Sequence, residues 1–330
     1  MFTSLQLLGR LVLLVCIGLI VFFCLEYYHF SVSALATDGK TVEFEVQQGS
    51  SLNHVAKQLD DSGVLPHSLF FNLIARLTDK THQLKAGEYR ITPGLTAKQL
   101  LHKLVVGDVI MRSVTLVEGW NIHLVLQELH ESPYLTHDLK NVAFDDIREK
   151  VGVHESHLEG LFFPETYHFA KYTLESDILM RAYHDMHKHL TKAWNERDRT
   201  IPIKTPYQAL IVASMVEKET AVPSERPQVA GVIYRRMNKN MRLQIDPTVI
   251  YGLGDRYDGK IHKAEIKNKN PYNTYTIHGL PPTPIAMPSE SAIHAALHPD
   301  KSNAIYFMGR GDGTHEFTDN LVDHEKAVKR

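Results

Sequence analysis

Hydrophobic positions fall into three patterns along the chain. The first is an uncharged run of fifteen residues, Leu11 to Leu25, bounded by Arg10 and Glu26 and prolonged by Tyr27, Tyr28 and Phe30. With these flanks it reaches the length of a membrane-crossing helix. A basic residue on the short N-terminal side predicts an N-in, C-out orientation, and the aromatic cluster predicts an anchor at the outer interface. Ala34-Leu35-Ala36 has the A-x-A form of a signal cleavage site, but it lies farther past the apolar run than such sites usually do, which favours an uncleaved anchor.

The second pattern is a set of short alternating and helical stretches. Ser31 to Thr41 is small and polar, a linker; Thr41 to Val46 alternates as a strand does, and Gly49-Ser50-Ser51 supplies a turn and an N-cap. Leu52, Val55, Ala56 and Leu59 then make one apolar helix face, and Leu69, Phe70, Leu73, Ile74 and Leu77 a second. A strand near Tyr89 to Ile91 and a helix carrying Leu100, Leu101, Leu104 and Val105 follow. Strand-helix-helix-strand units of this kind resemble LysM modules, which bind glycan; a plain spacer domain is the alternative. Farther on, Val114 to Val117 reads as a strand and Asn121 to Glu131 as a helix ended by Pro133. In Leu158 to Phe169 aromatics interleave with Glu159 and Glu165. Such a segment suits either the wall of a sugar groove or a core, and core is the simpler reading for Phe162 and Phe163.

The third pattern is a helix apolar on every face. Thr205 fits an N-cap and Pro206 the first helical position, after which Ala209 to Ala213, Met215 and Val216 are apolar all round. The helix nevertheless ends in Glu217-Lys218-Glu219. Successive residues turn by roughly 100°, so Glu217 and Glu219 point about 200° apart and cannot jointly serve one substrate. A carboxyl at the end of an apolar helix is partly desolvated, which suits a general acid; a solvated C-terminal turn is the competing reading. Glu165 is the rival acid. Beyond this helix, Pro223 and Pro227 bracket the start of another that runs to about Asn240. Leu243 to Thr248 and Pro271 to Tyr275 read as polar loops, and Gly279 to Ile285 as a stiff proline-dense one. Ser289 caps a helix to about Leu297, and Ala304 to Met308 pairs with His315 to Thr318 as a hairpin.

Composition changes this picture in three ways. A net charge of −2 asks for no nucleic-acid partner. Both cysteines, Cys16 and Cys24, lie in the apolar run, so the exported part has no disulfide to rely on. The twenty histidines scatter; His184, His187 and His189 cluster most closely, but without a completing ligand they predict a solvated helix face and no metal. No P-loop, dinucleotide fingerprint, G-x-S-x-G or H-E-x-x-H occurs, and no cofactor is expected.

EGLFFPETY, ASMVEKET, LQIDPTVIYGLG, PYNTY with GLPPTPI, and the closing YFMGRGDGTHEF occur behind the anchor and the LysM-like unit. In this order they resemble the YceG-like family of endolytic murein transglycosylases over nearly the whole chain. Ile245, where a small or polar residue is usual, is a minor departure. The resemblance implies an α+β fold with a cytoplasmic N-terminus 1–10, a transmembrane anchor 11–30, a linker 31–40, a LysM-like domain 41–110 and a catalytic domain 111–330. It assigns catalysis to Glu217, and Glu165, Gln244, Asp246, Tyr251, Asn273 and Tyr275 become candidate substrate-binding residues. The implied protein sits in the inner (plasma) membrane with its catalytic region in the periplasm. There it cuts MurNAc–GlcNAc β-1,4 bonds inside peptidoglycan strands, with peptidoglycan synthases as implied partners. A glycan-binding scaffold and a water-using muramidase are the alternatives.

Overall fold

A computed structural model of the chain describes residues 2–329, with side chains from residue 6 onward, so the outermost residues of the expected segments 1–10 and 111–330 lie outside the described residues. The fold is α+β. It divides into two compact units: residues 1–112 with His168–Tyr172, and Ser113–Tyr167 with Thr173–Arg330.

The first unit opens with α1 (Phe2–Val32), of which Gln6–Val32 is long and apolar enough to cross a membrane. β1 (Val42–Val46), α2 (Leu52–Asp61), α3 (Ser68–Leu77) and β2 (Gly87–Ile91) follow in the expected strand-helix-helix-strand order, then α4 (Ala97–Val106). The strands pair antiparallel, Val42 opposite Ile91 and Val46 opposite Gly87. Ser51 caps α2 by accepting from the His54 N–H, and Leu52, Val55, Ala56 and Leu59 are buried as their spacing predicts. Lys171 closes the unit from the returning segment, its Nζ 2.8 Å from Glu45 and 3.4 Å from Glu88.

Two expectations fail in this unit. Residues expected as a linker are stitched into the core: the Leu35 N–H donates to the Leu95 carbonyl at 2.8 Å and the Ala36 N–H to Val64 at 3.0 Å, with Leu35 and Thr37 buried. In α3 the core face is Phe71, Ile74 and Ala75, while Leu69 and Leu77 are exposed. Both faces of this helix are apolar, so periodicity identified the helix and placed Ile74 and the half-buried Phe70 correctly, but counted Leu69 and Leu77 as inward and left out Phe71 and Ala75.

β3 (Met111–Thr115) starts three residues before the predicted strand and pairs with β4 (Thr166–Ala170). The second unit contains α5 (Ile122–Glu131), α6 (Phe144–Val151), α7 (Glu175–Glu196), α8 (Pro206–Glu219), α9 (Arg226–Asn238), α10 (Asp246–Leu253), the short α11 (Lys263–Lys267), α12 (Glu290–Leu297) and α13 (Leu321–Val328). β5 (Tyr306–Gly309) and β6 (His315–Thr318) form the expected hairpin, Tyr306 opposite Thr318 and Gly309 opposite His315. The polar stretch expected as a loop from Leu243 becomes helical at Asp246. Pro247 lies in its first turn, where a missing N–H leaves no bond unmade.

α8 is the axis of this unit. Ala209 to Val216 are buried without interruption, and α7, α9, α10 and α12 pack around them. Thr205 caps it, accepting from the Gln208 N–H at 3.2 Å. Ser214 is the one polar side chain in the buried run: its hydroxyl donates to the Ile211 carbonyl at 2.8 Å and accepts from the Ile285 N–H at 3.0 Å. It therefore leaves no buried polar atom unsatisfied and pins the proline-dense loop to the helix.

Leu210→Ala should destabilise the second unit by about 2–5 kcal/mol, because surrounding helices cannot close the cavity. A urea midpoint unchanged from wild type would remove α8 from the centre of the core.

Candidate active site

The C-terminal turn of α8 carries a carboxylate largely withdrawn from solvent. The Glu217 side chain is 7% exposed. Its Oε1 accepts from Arg226 Nη2 at 2.9 Å, and its Oε2 accepts from the Ser289 backbone N–H at 2.9 Å and from the Ser289 hydroxyl. Arg226 opens α9 and Ser289 is the N-cap of α12, so three helix ends meet on one carboxylate. The Arg226 guanidinium, 9% exposed, also donates from Nη1 to Ser289 Oγ at 2.6 Å and Ser291 Oγ at 2.5 Å, while its buried Nε has no partner among the described residues. These charge-assisted bonds offset the cost of burying both ions.

One wall of the site is the turn at Gly119. Its φ of +76° suits glycine, and a Cβ there would stand 3.9 Å from Glu217 Cγ. The turn is held by reciprocal backbone bonds, Gly119 N–H to Met287 at 2.8 Å and Met287 N–H to Trp120 at 2.7 Å, and by Lys218 Nζ on the Gly119 carbonyl at 3.2 Å.

Glu219 faces elsewhere, as the helical angle requires. Its Oε2 is buried without a partner among the described residues. Burial, reinforced by the charge of Asp246 and opposed by Arg236, pushes its carboxyl up to about 8. Asp246 itself accepts from the Tyr275 hydroxyl at 2.5 Å, which with burial raises the phenol. Gln244 accepts from Arg236 Nη1 at 3.3 Å. The Asn273 amide donates to the carbonyls of Glu265, Ile266 and Asn268, and its oxygen accepts from the Tyr275 N–H. Asn273 thus holds its loop together with every polar atom it has. Glu165 is exposed, and its side chain accepts the N–H of its neighbour Thr166 at 3.2 Å. The structure brings Asp246 to Tyr275, and brings none of these five to the Glu217 carboxylate by a hydrogen bond.

Tyr251 belongs to a different cluster, one the sequence reading missed. Its hydroxyl donates to Glu159 Oε2 at 3.0 Å, and Glu159 also accepts from the Ile122 N–H at 3.2 Å. Burial pushes the Glu159 carboxyl up to about 7, against the pull of those donors. The Tyr251 ring lies 4.8 Å from that of Tyr272. A cavity of about 250 Å³ opens here, lined by Glu159, Tyr251, Tyr272, His123, Phe144 and Arg148 among others. The available signal was a glutamate set within an otherwise apolar run, which is costly unless it is bonded or used.

Among the described residues, one grouping has donors spaced for a metal: His130, His137 and Glu175. Both imidazole Nδ1 atoms lie on Glu175 Oε1, at 2.8 and 2.6 Å, and Oε2 accepts from the Leu139 N–H. At these spacings the histidines act as hydrogen-bond donors to a buried carboxylate. The predicted cluster on α7 is dispersed, with His187 on Glu155 at 3.3 Å and His189 stacked on Phe163 at 4.1 Å.

Residues 44–330 match the model of the YceG-like family, and the chain belongs to that family. A Bacillus subtilis protein named endolytic murein transglycosylase is 27% identical, over 88% of this chain and 84% of its own. A Streptococcus pneumoniae protein of the same name is also 27% identical over 89% of this chain, which spans 59% of that longer relative. A crystal structure of a yceG-like protein from Listeria monocytogenes is 26% identical, with a TM-score of 0.50 over 87% of this chain and 99% of its own.

The two raised carboxyls make stability depend on pH with a definite sign. The unfolded chain releases these protons near the ordinary value of 4.5, whereas the folded chain holds them to about 7 at Glu159 and about 8 at Glu219. Their contribution is whole below the unfolded value and is lost as pH rises through the folded ones. Glu219→Gln, which cannot ionise, should therefore lose less stability than wild type when urea midpoints are compared across that window. Equal losses would mean that Glu219 is not held neutral.

Proposed function

We propose that this chain is a membrane-anchored endolytic lytic transglycosylase that cuts MurNAc–GlcNAc β-1,4 bonds within peptidoglycan strands and leaves 1,6-anhydroMurNAc ends. The observation that carries the reading is the Glu217 carboxylate, held by Arg226 and Ser289 at the end of a buried helix in a chain of this family. The shared name of the relatives supports it.

The chemistry needs one residue that gives a proton and takes one back. The acid form of Glu217, reached when its carboxylate takes up a proton, donates that proton to the glycosidic oxygen as the C1–O bond breaks. The carboxylate left behind is met by the Arg226 guanidinium and the two Ser289 donors, which stabilise charge where it develops. It then takes the proton of the MurNAc C6 hydroxyl as that oxygen bonds to C1, closing the 1,6-anhydro ring and restoring the acid. No water is consumed, and the intramolecular nucleophile supplies the advantage of proximity. A hydrolase would place a second carboxylate across the scissile bond. Here Glu219 turns to another side of α8, and Glu159 is engaged by Ile122 and Tyr251. The cavity beside Glu159, with its tyrosine faces and polar groups, is assigned as a sugar subsite, since aromatic faces and hydrogen-bonding groups together suit saccharides.

The first unit is assigned as the LysM-like part that holds glycan, and α1 as a single-pass anchor in the inner membrane. Arg10 favours its N-terminus inside and both units outside the cytoplasm. A tether this short suits nascent strands and partnership with peptidoglycan synthases.

Glu217→Gln should lower strand cleavage by about a hundredfold or more while the chain keeps its folded circular-dichroism spectrum, although loss of the buried ion pair with Arg226 lowers the melting temperature. Mass analysis of digests by the wild-type chain should give internal fragments ending in 1,6-anhydroMurNAc. Products heavier by one water would make the protein a muramidase, with Glu159 and Glu165 the next carboxyls to replace; retained glycan binding without cleavage would make it a scaffold.

A reporter fused after Arg330 and active only when exported should be active. Cytoplasmic activity would reverse the orientation.

A further inference from the structure

The exposed face of α3 was left without a partner by the fold. Leu69, Leu73 and Leu77 are four residues apart, each step advancing about 40° around the helix, so they form one stripe. Phe71 and Ala75, on the far side, fill the core. Leu69 is 81% and Leu77 68% exposed, and Leu73 is half-buried. Arg76 flanks the stripe, exposed and without an ion pair among the described residues.

What covers this stripe is indicated by its neighbour. The Phe70 ring, bordering the stripe, packs on three rings of α1: Phe23 at 5.2 Å, Phe30 at 5.6 Å and Tyr27 at 6.3 Å between centroids. These positions bracket Glu26, the first charge after the apolar run Leu11 to Leu25. A membrane-crossing helix places that first charge at the outer edge of the hydrocarbon, and aromatic rings collect at the same level. Residues 23 and 30 are separated by about 10 Å of helix rise, so Phe70 lies within one turn or so of that edge. Phe23, Leu69, Phe70, Leu73 and Arg76 also line a common open crevice of about 820 Å³.

We propose that the Leu69–Leu73–Leu77 face of α3 is seated in the outer acyl–headgroup boundary of the bilayer, with Arg76 on lipid phosphate. An interfacial helix has this composition, apolar on the lipid side with a basic residue at the polar edge, and binds through buried apolar area plus attraction to anionic lipid. The first unit is thereby held against the membrane by two elements, one crossing it and one lying in it. The inference rests on the reading of α1 as a membrane anchor.

The test uses the full chain reconstituted in phosphatidylcholine–phosphatidylglycerol vesicles, with Leu69→Trp and Leu77→Trp made separately and the unsubstituted chain giving the background of Trp120 and Trp194. The added emission should be blue-shifted and lost when the lipids carry bromine near the top of the acyl chain. Arg76→Gln in the Leu69→Trp chain should weaken that quenching in anionic vesicles more than in neutral ones. A chain that resists alkaline extraction while its added tryptophan is quenched by aqueous iodide and not by brominated lipid overturns the seating and leaves the anchor standing. Emission that shifts with protein density and ignores brominated lipid also overturns it, in favour of a second copy on this face. Extraction of the chain by alkaline wash overturns both readings.

Discussion

A charged residue at the end of a helix with no exposed side is the constraint on which the second unit rests. Ala209 to Val216 are buried on all faces, and the Glu217 side chain just beyond them is only 7% exposed, so its carboxylate needs partners where it stands. Arg226 and Ser289 meet it, and each is already fixed by another duty, one opening α9 and the other capping α12. The same two donors bind each other through Arg226 Nη1 and Ser289 Oγ. One ion pair and one cap thus set α8, α9 and α12 in register, and the carboxylate proposed as catalytic is also a structural keystone.

Two residues along the helix, the opposite solution is found. Glu219 is also withdrawn from water, but no donor reaches its Oε2, and burial beside Asp246 keeps it protonated near neutrality. Glu159 is intermediate, with two donors and a carboxyl pushed up to about 7. Three glutamates of one unit thus meet three different surroundings: Glu217 an ion pair and a helix cap, Glu159 two hydrogen-bond donors, and Glu219 a buried place with no donor to its Oε2 among the described residues.

The first unit shows a related economy in its apolar residues. Its core takes Phe71, Ile74 and Ala75 from α3 and leaves Leu69 and Leu77 exposed, with Leu73 half-buried between them, on the same short helix that packs on the membrane-length helix α1. Exposed leucines in a row are a cost in water and an advantage in lipid. The stretch after α1 is bound into the same core through Leu35 and Ala36, so the helix enters the unit without slack.

Much of this was legible in the amino-acid order. The membrane-length run, the caps at Ser51, Thr205 and Ser289, the buried helix α8, the hairpin β5–β6 and the divergence of Glu217 from Glu219 follow from local rules of period, capping and helical angle, which depend on residues close in sequence. The motifs that resemble the YceG-like family singled out Glu217 before any contact was known. What local rules cannot give is which apolar face turns inward when both sides of a helix are apolar, and at α3 Leu69 and Leu77 point outward for that reason while Ile74 is buried as its spacing implies. Nor can they find partners brought from afar. Arg226 lies nine residues from Glu217, Ser289 seventy-two, and Tyr251 ninety-two from Glu159. Asn273, a groove candidate by its motif, was found committed to its own loop. Sequence determined which segments form and where charge is trapped; only the packing of distant helix ends decided what each trapped charge meets, because donors are supplied by through-space proximity that no spacing along the chain records.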